Sequence, residues 1–380
     1  MKGFLLRSPA SRRRITVLAS LATVAALLLS GCQTGSIEGT AGSQTAVELP
    51  PLGSLTPIAD PTSWQGPSTA VIGSPSVPAL AKNPKQELPA KVISHDSTGD
   101  IEVEVKDTSR LLAISITGTI AELVGAFGLA DNLVGRDIST NIPGYEDLPV
   151  VTKQGHSIDA EGVLALNPSL IITDGTIGPN DVVLQLRDAG IQVVTVTRAM
   201  NPESTYTLVD EVASILGVSP LADELNTQLA KAIADKEAEI QKLLPSDPAL
   251  RPRIAFLYVR GTAGIYYLFG EGSGADSIID SLGAVDVAKE IGWVGEKPLT
   301  DEALVSLDPD IILVMSKGLE STGGVDGLIA AQPSIALTTA GKNRRIIDVE
   351  DTVVFAGGTR IPDVLDGLAR TIYAPDSLTS

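Results

Sequence analysis

Tyr258 and Arg260 stand two residues apart in Phe256-Leu-Tyr258-Val-Arg260-Gly261, where an apolar run gives way to the turn Gly261-Thr-Ala-Gly264. On a strand this spacing puts both side chains on one side. A phenolate is a hard anionic ligand suited to ferric iron. A phenol with a reference pKa of about 10 needs a neighbour that favours its charged form. Arg260, permanently charged and rich in donors, is such a neighbour. His156 is one of only two histidines and lies in a loop ahead of a helix at Glu161; imidazole is another common iron ligand. His95 lies in the approach to the first folded region and is expected in solvent. Taken singly, Tyr258 fits a core tyrosine beside a surface arginine equally well, and a lone histidine is more often structural.

Other residues group around these. Met315, at the end of the strand Ile311 to Val314, and Trp293, in the loop before a helix at Thr300, have the size and polarisability of pocket walls, or of core filling. Tyr266 and Tyr267 compete with Tyr258 as ligands, and Arg136 and Arg198 lie near strand ends. Glu161 and Glu302 occupy the first turns of their helices, where a carboxylate also favours its own helix dipole. No nucleophile and base pair is visible, so the chain is expected not to be an enzyme. Gly270-Glu-Gly-Ser-Gly274 lacks the Lys-Ser/Thr of a phosphate-binding loop.

The elements that must carry these groups alternate strand and helix. Leu111 to Ile116 and Leu170 to Thr173 are buried-strand runs, and Val193 to Val196 another. Helices are predicted over Ile120 to Phe127, Ala160 to Leu166 and Val182 to Ala189. Such alternation implies a mainly parallel sheet covered on both faces. A second series begins at Arg253 and repeats the first. Ala160-Glu-Gly-Val-Leu-Ala-Leu-Asn-Pro168 aligns without gaps on Asp301-Glu-Ala-Leu-Val-Ser-Leu-Asp-Pro309, each leading into a buried strand. Gly128-Leu-Ala-Asp131 corresponds to Gly283-Ala-Val-Asp286, and Ala189-Gly190 to Ala340-Gly341, so one lobe architecture is duplicated. Between the lobes a helix from about Glu203 to Leu216 precedes a longer one from Leu221 to Leu244. The latter carries a stripe of Leu221, Leu225, Leu229, Ile233 and Ile240 and is long enough, at about 35 Å, to cross from lobe to lobe. The fold class is thus α/β, two Rossmann-like lobes joined by a long rigid helix. Ligands of such lobes bind at the carboxyl ends of strands, in the crevice between them.

The chain's beginning sets its expected location. Arg7 and Arg12-Arg-Arg14 precede an apolar stretch from Ile15 to Leu29, shorter than the roughly 20 residues of a membrane-spanning helix, which reads as a signal peptide over 1–31. Leu29-Ser-Gly-Cys32 resembles a bacterial lipobox, implying cleavage before Cys32 and lipidation of its sulfur, palmitate included. Cys32 is the only cysteine among 380 residues, so the mature chain has no disulfide. Residues 32–100 are expected to be a lipidated, disordered tether rich in Gly, Ser, Thr, Pro and Ala, with an early strand around Ile101-Glu-Val-Glu-Val. The N-terminal lobe is assigned to 101–202, the helical connection to 203–250 and the C-terminal lobe to 251–380. A net charge of −18 disfavours nucleic acid and anionic lipid surfaces as partners.

Two lobes joined by one long helix behind a lipobox resemble the class III binding proteins of ABC importers, which serve haem, ferric siderophores and cobalamin. The likeness runs from roughly Arg110 to the C-terminus. Within that class, Gln154-Gly-His156 and Phe256-Leu-Tyr258-Val-Arg260-Gly261 are similar to the ligating segments of actinobacterial haemin-binding lipoproteins. The resemblance implies His156 and Tyr258 as axial ligands of haem b carried as cargo, and Arg260 as the support of Tyr258. It implies docking of Glu161 and Glu302 onto an ABC permease dimer with its ATPase, other haem-relay surface proteins as partners, and a place on the outer face of the cell membrane. A siderophore binder would want stacking aromatics, of which the chain, at 3% aromatic residues, has few.

Overall fold

In the computed structural model, which describes residues 49–73, 78–140, 142, 144–153, 156–261, 266–352 and 358–378, the apolar runs assemble into two main sheets. The signal peptide, the lipobox and Cys32 lie outside the described residues. The first sheet orders its strands Leu133–Arg136, Leu111–Ile114, Leu170–Thr173 and Gln192–Thr195, all parallel. Its two central strands are buried at every position, as helices on both faces require. The second sheet is built on Arg253–Val259, which pairs in parallel with Ile311–Met315, itself parallel to Ile346–Val349. On its other side the chain turns back: Tyr266–Phe269 runs antiparallel to Arg253–Val259, and Glu296–Pro298 antiparallel to Tyr266–Phe269. The second lobe therefore departs from the purely parallel pattern.

The duplication extends to backbone detail. Helices Ala160–Leu166 and Asp301–Leu307 both end in a left-handed residue, Asn167 at φ 44° and Asp308 at φ 42°, whose N–H returns to Leu164 O and Leu304 O. Asn and Asp tolerate that conformation better than other side chains, and the following proline stops the helix. The freed carbonyls meet an arginine from the start of each lobe. Arg110 donates to Leu166 O and Asn167 O, and Arg253 donates to Leu307 O and Asp308 O. A cation at a helix C-terminus also favours the dipole.

Helix Ala222–Gln241 buries Ala222, Leu225, Leu229, Ile233 and Ile240. One core cluster joins that stripe to Leu111 and Leu123 of the first lobe, to Ile254, Phe256 and Leu313 of the second, and to Leu365, Leu368 and Ile372 of the C-terminal helix Ile361–Tyr373. Each such aliphatic side chain contributes about 1.5–3 kcal/mol on burial. Polar ties reinforce the junction: Lys236 Nζ meets Asp366 Oδ1 at 2.7 Å, Ser281 Oγ donates to Glu237 at 2.7 Å, and Tyr373 Oη donates to Leu282 O at 2.8 Å.

The expected tether is corrected from residue 49 onward, because this segment is folded onto both lobes. Leu52 is fully buried, Ile58 N donates to Tyr373 O at 2.8 Å, and Ser68–Thr69 extends the second sheet alongside Ile346–Val349. Arg345, 1% exposed, donates to Ser68 Oγ at 2.8 Å and to Thr371 O at 2.5 Å. Burial lowers its pKa to about 10, so it stays charged at neutral pH. The chain then reaches the first lobe, where Leu80 N donates to Ala126 O and Asn83 N to Gly128 O. A Cβ at Gly128 would lie 2.1 Å from Ala81 O, so only glycine allows that approach. The hairpin Ala90–Asp96 and Gly99–Val105 follows, and its Ser94 Oγ accepts from Thr195 N at 2.9 Å. A segment with no core of its own folds here by satisfying the open edges of two finished sheets. His95 keeps a partly exposed side chain, and its ring nitrogens face Asp100 at 2.9 Å and Glu211 at 3.1 Å; these carboxylates, Asp100 foremost, raise its pKa. Starting the chain at Ala79 is expected to lower the thermal midpoint by roughly 5 °C or more, since Arg345 loses buried partners; an unchanged midpoint by calorimetry would restore the tether reading.

Segment, first lobe and C-terminal helix meet at Arg360. Its guanidinium donates to Gly73 O at 2.9 Å, pairs with Asp363 at 3.2 Å and lies 3.9 Å from Glu122 of helix Thr119–Ala126. Burial pushes Glu122 up to about 8 despite the nearby charge of Arg360. A folded-state pKa above the unfolded one means that the unfolded chain releases this proton first, so the group erodes stability as pH rises from about 4.5 to about 8. Glu122→Gln is expected to flatten that part of the stability profile. Thermal unfolding at several pH values checks this, and parallel curves for the two proteins would refute it.

Candidate ligand-binding crevice

Strand alternation places Tyr258 beside Ile254 and Phe256, on the face of the second sheet that packs against the shared core, while Ala255, Leu257 and Val259 enter the separate core behind. The half-buried Tyr258 ring meets Tyr267 edge-on at 6.3 Å and Phe269 at 6.5 Å. These contacts fix the ring and leave its oxygen at the strand's carboxyl end. There Arg260, exposed, donates through Nη1 to Tyr258 Oη at 3.3 Å. The turn that follows, Thr262 to Gly264, lies outside the described residues.

His156 follows Gln154-Gly155, which also lie outside the described residues. It adopts φ 60°, held between the short paired strands Thr152–Lys153 and Ser157–Ile158. A histidine in the left-handed region is uncommon, and such strain concentrates at functional sites. Its Nδ1 lies 3.3 Å from Ser139 Oγ. Burial, and then the charges of Lys317 and Arg260, push its pKa down, favouring the neutral ring that can bind a metal. Both charges belong to the second lobe: Arg260 follows the strand of Tyr258, and Lys317 opens helix Ser316–Ser321 after Ile311–Met315. Carboxyl ends of both lobes therefore meet across the crevice, with His156 on one side and the Tyr258–Arg260 pair on the other.

Asp137 organises the first-lobe side. It is fully buried, and its carboxylate accepts from the N–H groups of Ser115 at 3.0 Å, Ser139 at 2.7 Å and Thr140 at 2.8 Å. Burial nevertheless pushes it up to about 6. Asp137 and Lys317 escaped the sequence reading; the only signal for Asp137 was an acidic residue directly after a strand with Ser139 and Thr140 close behind.

The remaining candidates separate. Met315 packs on Tyr258's side of the sheet, on the neighbouring strand where Leu257 pairs with Val314. Trp293 does not: it belongs to the core behind the sheet and donates through Nε1 to Leu268 O at 3.1 Å, so the pocket-wall expectation fails for it. Tyr266 points the same way, donates to Asp301 at 3.0 Å and is raised to about 12 by burial, which leaves Tyr267 as the alternative on Tyr258's face. Arg136 is directed to the carbonyls of Asp137, Thr140 and Glu146. Glu161 and Glu302 are exposed at matching first turns. No described helix is long and apolar enough to cross a membrane.

The fold and crevice are those of a binding protein, and the chain belongs to the periplasmic binding protein family, whose model matches residues 114–353. Its two α/β lobes and long helix are the class III fold, and the family provides the substrate-binding components of ABC importers. Among solved structures it is similar to heme binding protein HmuT, with 35% identity and a TM-score of 0.74 over 83% of this chain and 99% of that one. Forms of HmuT with a tyrosine, an arginine or a histidine replaced by alanine match comparably. An uncharacterized ABC transporter substrate-binding lipoprotein, YvrC of Bacillus subtilis, is 27% identical over 79% of this chain and 92% of its own length. A cobalamin-binding protein of Halobacterium salinarum is 23% identical over 68% of this chain and 69% of its own.

Proposed function

We propose that this protein captures haem b outside the cytoplasmic membrane and delivers it to an ABC permease dimer and its ATPase, held at the membrane by lipid on Cys32. The observation that carries the reading is the Tyr258 oxygen bonded to Arg260 at the carboxyl end of its strand, facing a lobe whose loop presents His156, its pKa pushed down chiefly by burial. Phenolate and imidazole are both axial ligands of haem iron. The likeness to HmuT supports this ligand; the cobalamin-binding relative supports cobalamin as the second reading.

Titration with haemin and, separately, with cobalamin, followed by absorption spectroscopy, decides between them. Haemin is expected to saturate at one equivalent with a Soret band and a tyrosinate charge-transfer feature. Tyr258→Ala should abolish that feature and His156→Ala should leave a weaker, altered complex. Arg260→Ala, which removes the donor to the Tyr258 oxygen, should weaken haemin binding. An unchanged haemin spectrum for wild type would end the haem reading, and wild-type spectra for both ligand variants would refute the ligand assignment.

Glu161 and Glu302, exposed at equivalent positions of the two lobes, suit a two-fold partner with a basic rim. Replacing both by Ala should leave haemin affinity unchanged and impair transfer to the cognate permease in reconstituted vesicles. Undiminished transport would confine the two carboxylates to their own helix dipoles.

A further inference from the structure

Among the described residues, Ser139 is the only hydrogen-bonding partner of the His156 ring, with Oγ 3.3 Å from Nδ1. Ser139 is itself 2% exposed and has little room to move. Its N–H is held by Asp137 at 2.7 Å. Its carbonyl oxygen lies against Gly118, where even an added Cβ would come within 3.1 Å and where φ of 73° already excludes most side chains. Asp137 ties the same loop to the end of the neighbouring strand through Ser115 and Thr140. A buried carboxylate thus fixes a backbone, the backbone fixes a hydroxyl, and the hydroxyl fixes one nitrogen of the ring.

A neutral imidazole offers a lone pair on one nitrogen only, and which nitrogen that is depends on what the other one bonds. In water the ring favours the form protonated at Nε2, which leaves no lone pair there for a metal. We propose that Ser139 is the positioning residue of this site: its hydroxyl accepts the Nδ1–H of His156, so that a bare Nε2 faces the crevice before any ligand arrives. This rests on the reading of His156 as an iron ligand. It adds a polar partner behind the ring, of the kind whose loss typically lowers metal affinity by about 10-fold or more.

The test has two arms. With only two histidines in the chain, nitrogen-15 spectra of the ligand-free protein at mildly alkaline pH resolve both rings, and His95 serves as internal reference. Wild type is expected to show His156 protonated at Nδ1, Ser139→Ala to shift the ring toward the Nε2-protonated form, and Ser139→Thr, which keeps the hydroxyl, to restore it. In the second arm Ser139→Ala should weaken haemin binding about 10-fold while retaining the tyrosinate feature of Tyr258, with the thermal midpoint unmoved. A wild-type ring protonated at Nε2, or a ring indifferent to Ser139→Ala, overturns the proposal. Expected ring spectra in a protein that takes up no haemin would overturn the haem reading and leave the role of Ser139 intact.

Discussion

The two sheets share one apolar core, and the crevice depends on that sharing. The stripe of helix Ala222–Gln241 belongs to one cluster with Leu111 and Leu123 of the first lobe, Ile254 and Leu313 of the second, and Leu368 and Ile372 of the C-terminal helix, against which the long helix packs. Prising the lobes apart would expose this cluster and break the Lys236–Asp366 pair. A hinge made of peptide linkers carries no such penalty. The shared core therefore favours small relative motion of the lobes.

Within that frame the second lobe brings cations near His156, with Asp351 close to both of them. The chain carries a net charge of −18, yet Arg260 and Lys317 both act on His156 from the second lobe. Local cations on an acidic protein attract an anionic ligand to one place and disfavour it elsewhere. Burial first, and these two charges after it, push the His156 pKa down.

The segment from residue 49 to the first hairpin shows how a sequence poor in core-forming residues becomes part of a fold. It supplies backbone donors and acceptors to sheet edges and oxygens to buried arginines: the Gly66 carbonyl and the Ser68 hydroxyl to Arg345, and the Gly73 carbonyl to Arg360. By touching the second lobe first and the first lobe afterwards it straps the two together.

Local pattern alone determined the alternation of strand and helix, the repeat of Ala160–Pro168 in Asp301–Pro309, the long helix, and the placement of Tyr258, Arg260 and Met315 on one strand end or its neighbour. All of these follow from periodicities of two and 3.6 residues and from turn chemistry, which act over a few neighbours. Only the tertiary structure decided the rest. Trp293 and Tyr266 went to the far face of the sheet because the chain reverses after Val259 into an antiparallel pair. Residues 49–73 became a strap because edges formed hundreds of residues later were open to receive them. Asp137, Ser139 and Lys317 acquired meaning through neighbours remote in sequence: Ser115, His156 and the opposite lobe. Burial and through-space charge depend on which surfaces meet, and no window of adjacent residues carries that information.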